Sequence, residues 1–163
     1  MKLARLLWVL VAGLSTLGMG KKDSSVAVRF HVEANPRDGE SFVIRAKFHN
    51  PDRDGHVGKM PVVTERDIDS VYPVLAEDGS YGCAFKLDRH GAISLETVSR
   101  ENRGLTMVAI ISSKAGSHQF AEMIIDKPIS DGVIYVRKGL TESDIEELQR
   151  RYPTMGEKTG KRR

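Results

Sequence analysis

Cys83 is the only cysteine in this chain of 163 residues, so no disulfide forms within one molecule. It shares an alternating apolar face with Phe85 and Leu87, which predicts a buried, inert thiol rather than a nucleophile. Long hydrophobic runs are also missing: nothing approaches the roughly 20 apolar residues of a membrane-spanning helix. Catalytic signatures are absent as well. The sequence has no Gly-x-Ser-x-Gly elbow, no phosphate-binding Gly-rich loop and no dinucleotide fingerprint. The five histidines, His31, His49, His56, His90 and His118, include no pair at the spacing of a helical metal site. His31 and His49 lie on the polar faces of two strands expected to pair, but two imidazoles rarely hold zinc, and solvated strand histidines are the expectation. Asp52-Arg53-Asp54-Gly55 opens like a calcium loop without the later acids or the closing Glu, so a surface loop is expected. Glu146 and Glu147 read as acids near a helix start rather than an acid/base pair. No catalytic, cofactor-binding or metal-ligating residue is assigned, and the chain is expected not to be an enzyme.

What is present begins with an address. Lys2 and Arg5 precede an apolar stretch from Leu6 to Leu17, and Gly18-Met19-Gly20 supplies small residues before Lys21-Lys22. That is the three-part plan of a secretory signal peptide over residues 1–20. Retention as an N-terminal anchor is the alternative, and the short apolar run argues against it. The formal net charge of +3 misleads. Lys2 and Arg5 belong to the leader, and Lys158, Lys161, Arg162 and Arg163 stand against Glu157 in the tail, so residues 21–152 are slightly acidic. A nucleic-acid binder carries its cations on the folded face that meets phosphates, so no nucleic-acid partner is expected.

Periodicity then supplies the elements. Val26, Val28, Phe30 and Val32 alternate with polar neighbours, as do Phe42, Ile44, Ala46 and Phe48, and the turn-rich 35–40 segment between them predicts an N-terminal β-hairpin. Residues 50–59 read as an exposed connection. Thr64 to Ile68 resembles one capped helical turn. Asp69 to Ala76 is a strand in which Pro73 suggests an edge or a bulge, paired through Glu77-Asp78-Gly79-Ser80 with Tyr81–Leu87. His90-Gly91 interrupts the extended run, a helix follows from Ala92, and Asn102-Arg103-Gly104 stops it. Leu105, Met107, Val108, Ala109, Ile110 and Ile111 form a nearly unbroken apolar run, as in a strand covered on both faces. A strand from His118 to Asp126 and a short one from Val133 to Val136 come next. The last helix has the clearest signature: Thr141 with Asp144 forms a capping pattern, Leu140 and Ile145 occupy the staple positions, and Pro153 ends it.

Taken in order, Cys-Ala-Phe-Lys-Leu-Asp (83–88), Glu-Asn-Arg-Gly (101–104), Leu-Thr-Met-Val-Ala-Ile-Ile (105–111), Ile-Ile-Asp-Lys-Pro-Ile-Ser-Asp-Gly (124–132) and Gly-Leu-Thr-Glu-Ser-Asp-Ile-Glu-Glu-Leu (139–148) form a pattern. It resembles the head subdomain of the first periplasmic domain of SecD, the accessory subunit of the bacterial preprotein translocase. Asn102, Gly104, Pro128, Ile129, Gly132, Thr141 and Glu142 stand at that family's motif places, and each has a structural reading as helix stop, turn or cap. The resemblance covers about residues 65–148. Asp131 replaces the first Gly of the family's paired turn, residues 112–120 depart from its short turn, and residues 26–49 have no clear counterpart. The membrane spans that carry proton coupling in the family are absent from this sequence, which excludes a proton-driven pump.

The expected organisation is a signal peptide over 1–20, a β-hairpin and linker over 21–59, a SecD head-like domain over 60–152 and a basic tail over 153–163. The fold class is α+β, a mostly antiparallel sheet with two main helices packed on one face. The resemblance implies an exported, periplasmic or extracellular module of a bacterial envelope that binds polypeptide or a protein partner, with no transmembrane span after signal removal. The alternative is a structural or assembly component of the envelope with no role in protein export.

Overall fold

A computed structural model of the chain describes residues 26–114 and 116–156. The expected signal peptide, the lead-in to Ser25 and the tail from Glu157 lie outside the described residues. Eight strands and two α-helices follow one another as β1 (Ala27–Val32), β2 (Val43–His49), β3 (Asp52–Gly58), β4 (Ile68–Leu75), β5 (Tyr81–Leu87), α1 (Arg89–Glu101), β6 (Thr106–Ser113), β7 (Gly116–Ile124), β8 (Val133–Leu140) and α2 (Glu142–Arg151). The class is α+β, with every pair of named strands antiparallel.

Two three-stranded sheets, ordered β1-β6-β7 and β4-β5-β8, share one core, and β2-β3 forms a separate hairpin. The central strand β6 explains the layering. Met107, Ala109 and Ile111 point into the larger core with Phe30, Phe85, Leu95 and Leu148, whereas Val108 points the other way and packs against Phe48 and Val57 of the hairpin. Alternation sends successive side chains to opposite faces, so a strand apolar at every position needs cover on both. The helices reach the larger core through Leu95 and Leu148, on the side of β6 opposite the hairpin.

Three expectations are corrected by this arrangement. The N-terminal hairpin is built from β2 and β3; β1 pairs with β6 instead, Phe30 opposite Ala109. The expected linker at 50–59 is therefore largely strand, turned by a cis Asn50–Pro51 bond. Helix α1 begins at Arg89, because the Asp88 carboxylate accepts the Gly91 N–H at 2.8 Å and caps it before the dipeptide that read as a break. The strands flanking α1, β5 and β6, lie in different sheets.

Other local readings match. Pro73 lies on the edge strand β4, where its missing N–H costs no ladder bond to a second neighbour. Thr141 caps α2 by accepting the Asp144 N–H at 3.2 Å while Asp144 takes the Thr141 N–H at 2.9 Å. Leu140 and Ile145 are both buried around that cap.

Candidate functional site

Strand edges expose unpaired N–H and C=O groups, and folded proteins usually block them. Here the far edge of β1 is blocked by the chain at Val62 and Val63: the Phe30 N–H donates to Val63 at 2.9 Å and the Phe30 carbonyl accepts from Val62 at 2.8 Å. The far edge of β4 is blocked by the segment after α2. Val71 donates to the Pro153 carbonyl at 3.0 Å and accepts from the Met155 N–H at 2.9 Å, and Pro73 offers no donor. On β2, side chains serve: the Gln119 amide reaches the Lys47 carbonyl at 3.3 Å, and the Glu122 carboxylate takes the His49 and Asn50 N–H groups.

The outer edge of β3 is met by residues 33–34, the Ala34 N–H donating to the His56 carbonyl at 2.9 Å. Two edges remain, and they face each other. β7 ends one sheet and β8 ends the other, with no backbone hydrogen bond joining them among the described residues. They meet at one point, where the α-carbon of Gly139 lies against the Phe120 carbonyl. A Cβ there would overlap that oxygen, and the backbone has φ +110°, so only glycine fits. Both strands are irregular at the meeting point. Phe120 is the extra residue where the β6–β7 register shifts, and residues 137–139 are passed over where the β5–β8 register shifts. Such bulges bend a strand away from its neighbour. Beyond the contact the two strands part and leave an open groove of about 1180 Å³ between residues 119–124, the 126–131 loop and residues 133–138. That exceeds the about 300–1,000 Å³ of a small-molecule cleft.

The groove has an apolar floor and polar rims. Ala121, Met123 and Ile129 are partly buried against the core. On β8, Ile134 and Val136 turn inward, whereas Tyr135 and Arg137 turn out, Tyr135 being 66% exposed. At the hairpin end the Glu122 carboxylate meets the His49 ring at 2.8 Å. Burial alone raises the Glu122 pKa, but hydrogen bonds from the His49 ring and from the backbone of His49 and Asn50 outweigh it, and the net shift is downward. Glu122 thus pins the tip of the β2–β3 hairpin to the wall of the groove.

The seven residues singled out in the sequence lie at helix ends and in turns and loops. Asn102 closes α1 through its N–H and its side-chain amide, each donating to the Val98 carbonyl at 2.9 Å. Gly104, at φ +86°, donates to Ile125 at the end of β7. The Ile129 N–H donates to the buried Ser99 hydroxyl at 2.9 Å, fixing the loop that carries Pro128 along the groove. The Gly132 carbonyl accepts from Leu87 at 2.9 Å, and Thr141 with Glu142 opens α2.

The remaining candidates are dispersed. His31 is buried, not solvated, and its Nδ1 donates to the Gly58 carbonyl at 2.8 Å, so it does not meet His49. The calcium-like run forms β3, where Arg53 lies over the Phe48 ring and pairs with Glu33 at 2.8 Å. Asp67, Asp88 and His90, which sequence reading did not associate, converge with their ligand atoms within 4.8 Å of one another. Asp67 already accepts from Thr64 and His90, and Asp88 caps α1, so these bonds tie the turn before β4 to the start of the helix. Burial pushes the Cys83 thiol up to about 12. Among the described residues no helix is long and apolar enough to cross a membrane.

The site is therefore a backbone-lined groove in an α+β fold of two antiparallel sheets. No protein-family model matches the chain, and no curated protein matches it either. Among solved structures the fold is similar to a chain from the structure of SecDF, described as a membrane component that enhances protein export. The TM-score is 0.53 at 17% identity, over 80% of this chain and 64% of that one. A second structure, SecDF in a super-membrane-facing form, matches with a TM-score of 0.53 at 16% identity, over 80% of this chain and 19% of that one. The chain thus spans less than two thirds of the length of either.

Proposed function

We propose that this chain is an exported, non-enzymatic module, similar to the head subdomain of the first periplasmic domain of SecD, that binds extended polypeptide in the β7–β8 groove. One observation carries the reading: two unpaired strand edges face each other across a groove while the edges of β1 and β4 are blocked. An extended segment entering there gains main-chain hydrogen bonds from the protein whatever its side chains, which is the physics of strand addition. The fold likeness to SecDF, a component of protein export, is consistent with a polypeptide ligand. The signal-like N-terminus supports a periplasmic or extracellular address.

A photo-crosslinking amino acid placed at Tyr135, on the groove rim, tests the reading against the same group at Ile93, also an exposed position, on α1. With a permanently unfolded model polypeptide, adducts are expected from position 135 and not from position 93. Equal yields from both, or none from either, contradict it.

A further inference from the structure

The groove is asymmetric across the plane of an inserted strand, and that asymmetry defines what it selects. We infer that the polypeptide segment it accepts alternates, with apolar residues facing inward and an acidic residue at the outward position beside Arg137. The inference rests on the polypeptide-binding reading and specifies its ligand.

A strand placed against β8 continues the β4-β5-β8 sheet, and its side chains follow the faces that the sheet already has. Inward, the neighbours are Ile134 and Val136 on β8 and the partly buried Ala121, Met123 and Ile129. A polar residue on that side loses its water without gaining a partner, whereas an apolar one is driven in by burial.

Outward, β8 presents Val133, Tyr135 and Arg137. Tyr135 stands across Ala84 from Tyr72, so an aromatic row already crosses this face. Arg137 is exposed and makes no ion pair among the described residues, while its neighbour Lys138 is held by Asp78 at 3.2 Å. Glu122 is bound by His49 and the hairpin backbone, and Asp126, Lys127 and Asp131 belong to the 126–131 loop at the end of the groove away from Gly139. At the Gly139 end one guanidinium is left to choose the ligand's charge. A guanidinium beside a cross-strand carboxylate is favourable, and beside a cation it is repulsive.

The test uses the full-length chain and three fluorescent peptides of equal length. One alternates apolar residues with polar ones that include Glu, the second carries Lys in place of Glu, and the third has the composition of the first with the alternation scrambled. Fluorescence anisotropy at physiological salt reads affinity. The Glu peptide is expected to bind about fivefold more tightly than the Lys peptide, and Arg137→Glu is expected to reverse that order. Arg137→Gln removes the preference while retaining binding. Because position 137 is solvent-exposed, circular dichroism is expected to be the same for all three proteins. A Glu preference that survives Arg137→Glu, or a scrambled peptide that binds as well as the alternating one, overturns the inference and leaves strand addition standing. No binding by any peptide removes the polypeptide reading itself.

Discussion

Glu122 shows how a single side chain can hold two elements in register. Its carboxylate accepts from two consecutive backbone N–H groups and from an imidazole, all at the hairpin tip. Because its pKa lies below the usual value near 4.5, the stabilisation is complete above that value and disappears as pH falls through the lowered folded pKa. Glu122→Gln leaves an amide donor facing backbone donors. It is expected to cost about 1–3 kcal/mol at neutral pH, with the difference from the parent shrinking in the acid range. Chemical denaturation at neutral pH and near pH 3 reads this directly, and a pH-independent difference contradicts it. Cys83 makes the opposite case, a reactive group silenced by position. With its thiol raised to about 12 and its side chain under the sheet, it is expected to resist iodoacetamide in the native protein and to react fully once unfolded. Rapid native alkylation would mean that β5 is more open than described.

At the scale of elements, the strands were legible and their partners were not. Alternation at Val26–Val32 marks a half-buried strand, whereas of the expected face Phe42, Ile44, Ala46 and Phe48 only Phe48 is fully buried, Phe42 and Ile44 being exposed and Val43 buried instead. Neither pattern says which edge its strand joins, and nearness in sequence suggested the wrong pair. What decides is β6. Its every residue is apolar from Met107 to Ile111, so both of its faces need cover: the β2–β3 hairpin covers Val108, and the larger core covers Met107, Ala109 and Ile111, while β1 takes its free edge. Residues 50–59 escaped notice as a strand because charge and glycine dominate them. Only Val57 is fully buried there, and Phe48 takes Arg53 over its ring. Helix ends fared better, since capping chemistry is local: Asn102, Thr141 and Asp144 do what their types and spacing indicate. The groove was the least legible feature. It arises from two register shifts, and nothing in the local pattern marks Gly139 as the residue that lets two strands touch. Gly139→Ala is expected to destabilise the protein by about 2 kcal/mol or more, through overlap with the Phe120 carbonyl and an unfavourable φ. A thermal melt within a degree of the parent would contradict the close contact.

Over the whole molecule, the likeness to SecDF structures is one of fold, and the proposed use rests on the arrangement of edges. β1 and β4 are closed by segments of the chain itself, from Val62–Val63 on one side and Pro153–Met155 on the other. β7 and β8 are left facing each other, and one inserted strand would join two three-stranded sheets into a continuous one. Amide hydrogen exchange on the full-length chain, with and without a saturating unfolded polypeptide, tests this most directly. Exchange is expected to slow at residues 121–124 and 133–137 and to stay unchanged along β4, whose edge is already occupied. Unchanged exchange at both groove strands, or slowing confined to β4, would contradict the account.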